Sequence, residues 1–322
     1  MSVTSGPSKQ KNDSRYLPAT FLKTHFDELS TVLQRHLKPW GAQGWRIVGR
    51  EPHLRIEVSL PQSVQKPRHP VRAVRVGGRW IKPAVTISHA HLRRPRGADG
   101  SSPSSIGLVR AMAPGARVRV GRGQFQEFVG IAAVFEYPDK SKKVLTCGHA
   151  RAFDFSGEIV PGDDPNGDAI ANLDRNFLQD PNPLDAALCT LTDAGLALLK
   201  DSANAPTWRF KSIKTPSVTD NSQQSVFWQT HDGDDSALTA PVLSFSGQNA
   251  ALFGPTGPQT GFVETSHGVI PGDSGSLLSL GASLYGLCSG FIGFTAFFTP
   301  IASVVARLKS QGTICTIYQP GS

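Results

Sequence analysis

Apolar residues first recur at spacings of three and four. Leu22, Phe26, Leu29, Leu33 and Leu37 line one face of a helix over 20–37, which Pro39 and Gly41 end. The period then changes to two. Leu54, Ile56, Val58 and Leu60 alternate with Arg55, Glu57 and Ser59, predicting a strand with one buried face. A hairpin follows, with Val71–Val76 turning at Gly77-Gly78 into Trp80–Ile87. Further on, short apolar runs at 117–120, 128–135, 143–147, 186–191, 225–230, 240–245, 276–280 and 285–289 stand between Gly- and Pro-marked turns. That spacing predicts an antiparallel β domain. The chain closes with a second helix, Thr299 as its N-cap and Pro300 in its first turn, burying Ile301, Val304, Val305 and Leu308.

Composition sharpens the division of the chain. With 322 residues, 39% of them apolar, there is enough material for two cores. Residues 1–14 are polar and read as a disordered tail; 15–92 form a small basic α+β accessory domain. The Arg-, Pro- and Ser-rich stretch 93–117 is a linker, and 118–322 is the β domain. Charge is divided along the same line. Residues 1–125 carry 22 Lys and Arg against 6 Asp and Glu, a net of +16, whereas 126–322 carry 11 against 19, a net of −8. The basic segment therefore seeks an acidic protein, a nucleic acid or the acidic domain of its own chain. It has no aromatic-and-basic recognition signature, so nucleic acid is the less expected partner.

Met1–Lys11 has no apolar core, so no export signal is expected and the predicted location is cytoplasmic. Cys147, Cys189, Cys288 and Cys315 show no metal-ligand spacing and read as reduced thiols. His89-Ala90-His91 is too weak a pair to imply a metal, and neither metal nor cofactor is expected. From Ser274 to Ala306 there is no charged residue, a run long enough to cross a bilayer. Gly281, Gly286, Gly290, Gly293 and Pro300 interrupt it at strand-like intervals, so it reads as buried strands with no membrane contact.

Three segments carry chemistry: Thr146-Cys147-Gly148-His149-Ala150, Pro183-Leu184-Asp185-Ala186-Ala187-Leu188 and Pro271-Gly272-Asp273-Ser274-Gly275-Ser276. A Ser hydroxyl is a poor nucleophile at neutral pH. It needs an imidazole to take its proton and a buried carboxylate to orient that imidazole. The order His, Asp, Ser discriminates, because unrelated folds use other orders. Asp154, Asp163, Asp168 and Asp174 are rival carboxylates, but their Gly- and Pro-marked surroundings suit surface loops.

These segments resemble the His, Asp and Ser signatures of chymotrypsin-like (trypsin-like) serine peptidases, over about residues 118–309. A basic N-terminal module before the peptidase domain resembles the layout of some bacterial members. The resemblance implies a mainly β, two-barrel antiparallel fold and a serine endopeptidase. It makes His149, Asp185 and Ser274 catalytic, and gives the backbone N–H groups of Gly272 and Ser274 to the oxyanion hole. By the same alignment Gly268 and Val269 lie at the base of the specificity pocket, with Ser289, Gly290 and Phe291 as the wall that binds substrate backbone. With no carboxylate at that base, a small or apolar residue before the scissile bond is expected.

The sequence departs from the family in two places. It lacks the Cys that follows the His in animal trypsins, and has Ser276 where many relatives have Gly. In trypsin-like zymogens a carboxylate at the place of Asp273 pairs with a newly cut N-terminus. Arg119-Val120 is a faint candidate for that cut, against the plainer reading of a basic first strand. Two other function classes fit the sequence: a catalytically silent binding module on a peptidase scaffold, and a nucleic-acid-associated regulator acting through the basic region.

Overall fold

The computed structural model describes residues 19–37, 44–48, 55–60, 73–81, 84–87, 112–123, 126–154, 156–162, 164–201, 210–231, 234–246, 261–269, 272–292 and 295–319, and structural statements concern these. Helix α1 (Ala19–Leu37) occupies the span its periodicity predicts, with a non-helical kink at His25. Strands β1 (Gly44–Val48) and β2 (Arg55–Leu60) follow, then β3 (Val74–Val76) and β4 (Arg79–Ile81), which turn at Gly77-Gly78. Leu29 and Leu33 of α1 are buried, as are Val74, Val76 and Ile81 of the hairpin that packs on this helix. The hairpin is shorter than its sequence pattern. Ala84–Ile87 is a separate strand, β5, lying parallel to β2. The predicted tail, most of the linker, and His89 and His91 lie outside the described residues.

Next come β6 (Arg117–Val120), β7 (Glu127–Gly130), β8 (Ala133–Glu136), β9 (Lys142–Thr146), β10 (Glu158–Pro161), β11 (Ala171–Asn176) and β12 (Ala187–Leu191). With β20 (Thr316–Ile317) they make an antiparallel sheet in the order β20-β8-β9-β12-β11-β10-β6-β7. Only Ile131 and Ala132 separate β7 from β8, so the two ends of this path are drawn together and the sheet curls. Val118, Val120, Val129, Val134, Leu145, Ile159 and Leu188 fill its interior.

Helix α2 (Asp193–Asp201) leads into the second sheet: β13 (Ser212–Ile213), β14 (Gln224–His231), β15 (Asp234–Ser246), β16 (Phe262–Thr265), β17 (Leu277–Leu280), β18 (Ser283–Ile292) and β19 (Thr295–Pro300). The ladder β14-β17-β18-β19-β16-β15 returns to β14 through the β14–β15 pairing, closing a six-stranded antiparallel barrel. Phe227, Val242, Val263, Leu278, Tyr285 and Phe298 pack inside it. Among the described residues the charge-free run after Ser274 forms three strands of the barrel wall up to Pro300, and its last part, from Ile301, belongs to the closing helix. No helix among the described residues is long and apolar enough to cross a membrane. Strands β1, β2 and β5 continue this sheet beyond β15, with Arg46 opposite Ser246.

Helix α3 (Ile301–Ser310) buries Ile301, Val304 and Leu308 in a core shared with the first sheet. Its Arg307 Nη1 donates to Asp180 Oδ2 at 2.6 Å, and Arg175 Nη2 donates to both oxygens of the same carboxylate at 3.0 Å. These charge-assisted bonds fasten the last helix across the first barrel. The predicted cap is corrected here. Pro300 stands at the N-cap with no side-chain cap bond, and the Thr299 hydroxyl instead pairs with Ser289 Oγ at 2.8 Å inside the barrel. The run predicted as one strand over 128–135 is two, because the chain bends at Ile131-Ala132 to leave one ladder for another.

Candidate active site

Two neighbouring strands bring His149 and Asp185 together. Antiparallel β9 and β12 lie side by side with Thr146 opposite Ala187, so the residues just after β9 meet those just before β12. Asp185 is fully buried, and its Oδ1 accepts the backbone N–H groups of Gly148 at 2.9 Å and His149 at 3.0 Å. His149 Nδ1 lies 3.0 Å from Oδ1 and 2.9 Å from Oδ2. A carboxylate can only accept, so Nδ1 carries the ring proton and Nε2 presents a lone pair. That lone pair faces Ser274 Oγ at 2.9 Å. Three residues separated by up to 125 positions form one continuous hydrogen-bonded line.

Ser274 sits at the second position of a tight turn. Ser276 N–H donates to Asp273 O at 2.9 Å, and Gly275 has φ +87°. A type II turn needs that left-handed geometry at its third residue, which is why glycine follows Ser274. The turn is fixed from both barrels. Cys288 O accepts Gly275 N–H at 2.8 Å, while Gly130 N–H of β7 donates to Ser274 O at 2.6 Å. Thr146 Oγ1 in turn donates to Gly130 O at 2.7 Å, linking the strand before His149 to the turn that carries Ser274.

Several of these supports have no sequence signature. Asn176 is one: its Nδ2 donates to Gly148 O at 2.9 Å while its Oδ1 accepts Leu178 N–H at 3.0 Å, clamping the loop before His149. Gly130 acts through a backbone bond between the barrels, and the Thr146 hydroxyl holds Gly130 from within the first barrel. Gly130 comes from a strand whose pairing depends on distant partners, so no local motif marks it, and Thr146, though it opens the His segment, shows this bond only in the fold.

The remaining sequence-predicted positions surround Ser274. Gly272 is buried with φ +95°, next to the turn. Gly268 is exposed, with open space where a Cβ would stand, and Val269 packs against the second barrel's core. Ser289, Gly290 and Phe291 lie on β18 beyond Leu287, the last residue to pair with β17. In the described ladders only β19 flanks this stretch, so one backbone edge of it faces the turn that carries Ser274. Of the rival carboxylates, Asp154, Asp168 and Asp174 are exposed, Asp174 paired with Lys143, and Asp163 lies outside the described residues. Val120 is fully buried at the end of β6, paired with both β7 and β10, so Arg119-Val120 is the basic first strand of the two readings.

All four cysteines are unpaired thiols. Burial raises Cys147, Cys189 and Cys288, which keeps them protonated beside the site.

Under Gly268 and Val269 lies a residue that the sequence did not mark. His267 is 4% exposed, with Phe227 and Phe298 rings beside it. Its Nε2 donates to Leu238 O at 3.0 Å, so Nδ1 accepts the Thr265 hydroxyl at 2.8 Å. The neutral ring is fully bonded, and burial pushes its pKa down from 6.5 to about 4. In that window the unfolded chain binds a proton that the folded chain refuses. Stability contributed by the neutral ring is present above about pH 6.5 and is lost as pH falls towards 4, by about 3 kcal/mol. Urea unfolding of the wild type and His267→Asn at pH 7, 5.5 and 4 measures it. The wild type is expected to lose the larger share of stability; equal slopes would show that the ring does not resist protonation.

A closed six-stranded barrel beside a curled eight-stranded sheet, with His, Asp and Ser gathered where they meet, is the chymotrypsin-like double-barrel fold. Among solved structures the chain is similar to a glutamic-acid-specific serine protease described as using a histidine triad in substrate binding, at 18% identity and a TM-score of 0.47 over 64% of this chain and 100% of that one. It is similar also to Nocardiopsis protease, at 18% identity and a TM-score of 0.43, over 64% of this chain and 98% of that one. Thermobifida fusca protease A gives 16% identity and a TM-score of 0.44, again over 64% of this chain and 98% of that one. No family model matches the sequence, and no curated protein matches it.

Proposed function

We propose that this protein is a serine endopeptidase that cleaves peptide bonds through an acyl-enzyme. One observation carries the reading: the unbroken line from Asp185 through His149 to Ser274, with 2.9 Å at each side of the imidazole. Ser274 Oγ attacks the peptide carbonyl carbon as its proton passes to His149 Nε2. Asp185 holds the tautomer that can accept this proton and stabilises the imidazolium that results. The negative charge collects on the carbonyl oxygen, against the N–H groups of Gly272 and Ser274, each worth ~3 to 4 kcal/mol of barrier. As the intermediate collapses the C–N bond breaks, and His149 gives its proton to the departing amine. A water molecule, giving its own proton to the same imidazole, then attacks the acyl carbon. The acid is released and the proton returns to Ser274.

The edge of Ser289–Phe291 suits an extended peptide backbone, which would join it as an added strand. Gly268 leaves room, and neither it nor Val269 brings a charge. The residue before the scissile bond is accordingly small or apolar.

A fluorophosphonate probe tests the proposal, because it phosphonylates only an activated serine. The wild type is expected to be labelled, and Ser274→Ala and His149→Ala are not. Absence of labelling in a folded wild-type protein that also cleaves no member of a peptide library would leave a silent scaffold as the reading.

A further inference from the structure

The oxyanion donor Gly272 has an unusual neighbour. An ideal Cβ placed on it would stand 2.5 Å from Nη2 of Arg117 and 2.7 Å from both its Cζ and Nε. Three near-equal distances mean that the planar guanidinium lies broadside against Gly272, filling the space a side chain would take. Arg117 comes from β6 in the other barrel, where it stands directly opposite Gly130. Gly130 is the residue whose N–H holds Ser274 O. One pair of facing residues in the first barrel therefore grips the nucleophile loop at two points, two residues apart.

Arg117 is itself braced. Its Cζ lies 5.5 Å from the centre of the Phe128 ring, and the Arg119 guanidinium lies 4.2 Å from the same centre. Arg119 is 7% exposed and is tied down by bonds to Gly162 O at 2.8 Å and Gln126 Oε1 at 3.0 Å. Contacts thus run from Arg119 and Phe128 through Arg117 to Gly272 at the site.

Glycine is the residue freest to rotate, and with φ +95° Gly272 holds a conformation that other residues rarely adopt. A flip of its peptide would turn the N–H away from the developing oxyanion. Because glycine has no side chain to resist this, resistance must come from what packs on it. Resting on the peptidase reading above, we propose that Arg117 is the positioning residue of the oxyanion loop: its broadside guanidinium keeps the Gly272 N–H pointed at the reacting carbonyl oxygen.

Arg117→Ala tests this, measured with the best library peptide and with the fluorophosphonate probe. A misplaced donor is lost chiefly in the transition state, so kcat and the labelling rate are expected to fall together by about tenfold or more, with KM within about twofold. Arg117→Lys keeps the charge without the flat face and is expected to stay near the Ala value. Should Arg117→Ala not fold, Arg117→Lys decides the matter with the same readouts. Wild-type kcat and labelling rate in Arg117→Ala would overturn the assignment. Full rescue by Lys would overturn the packing mechanism in favour of charge alone. A wild type that neither labels nor cleaves would instead refute the peptidase reading, and this inference with it.

Discussion

Ser274→Ala and His149→Ala are each expected to lower kcat by about 10⁶, and the double variant to lose no more than either. The reason is the shared proton. With Nε2 and Oγ 2.9 Å apart, the hydroxyl becomes nucleophilic only as the imidazole takes its hydrogen. Removing either partner ends that step, so removing the second has nothing left to abolish. What survives is the contribution of the oxyanion donors and of substrate binding, roughly 10³ to 10⁴ over water. Comparing kcat of the two single variants and the double variant on one peptide measures the coupling. Losses that multiply would mean that Ser274 and His149 act in separate steps, against the mechanism proposed here.

Asp185→Asn is expected to lower kcat by about 10⁴ at neutral pH while leaving the protein folded. Oδ1 accepts two backbone N–H groups, from Gly148 and His149, whereas among the bonds described Oδ2 faces only the ring. Asn would keep its oxygen on the backbone donors and turn its NH₂ towards Nδ1. The ring must then accept at Nδ1 and carry its proton on Nε2, where it can no longer take one from Ser274. An unchanged thermal midpoint with a collapsed kcat would identify the tautomer as the cause. Near wild-type kcat would show that the carboxylate does not set it.

Much of this arrangement was legible before any coordinates. Helix α1, strand β2 and the turn at Gly77-Gly78 follow from local periodicity and turn chemistry, because each buries one face that the pattern itself marks. Other elements were not legible. Ala171–Asn176 alternates too weakly to announce a strand, yet it lies between β10 and β12, whose backbone groups it satisfies. Thr316–Ile317 has only two residues and pairs with β8, some 180 positions earlier. Thr299 and Pro300 resemble a helix start, but the barrel claims both for its last strand, since Thr299 finds its hydroxyl partner on β18.

The site divides in the same way. His149, Asp185 and Ser274 could be named because the short segments around them resemble a family's signatures, with a glycine after the Ser and small apolar residues around the Asp. Asn176, Gly130, Arg117 and His267 were not marked, since each acts on a group far away in sequence through a contact with no local signature. The linear chain by itself determined which groups could do the chemistry and where the strands carrying them begin, for these depend on neighbours within a few residues. Only the tertiary structure decided that the groups meet, which atom of the imidazole faces the hydroxyl, and what holds the loop around Gly272 in place. Those are properties of two barrels pressed together, where close packing joins residues that the backbone keeps apart.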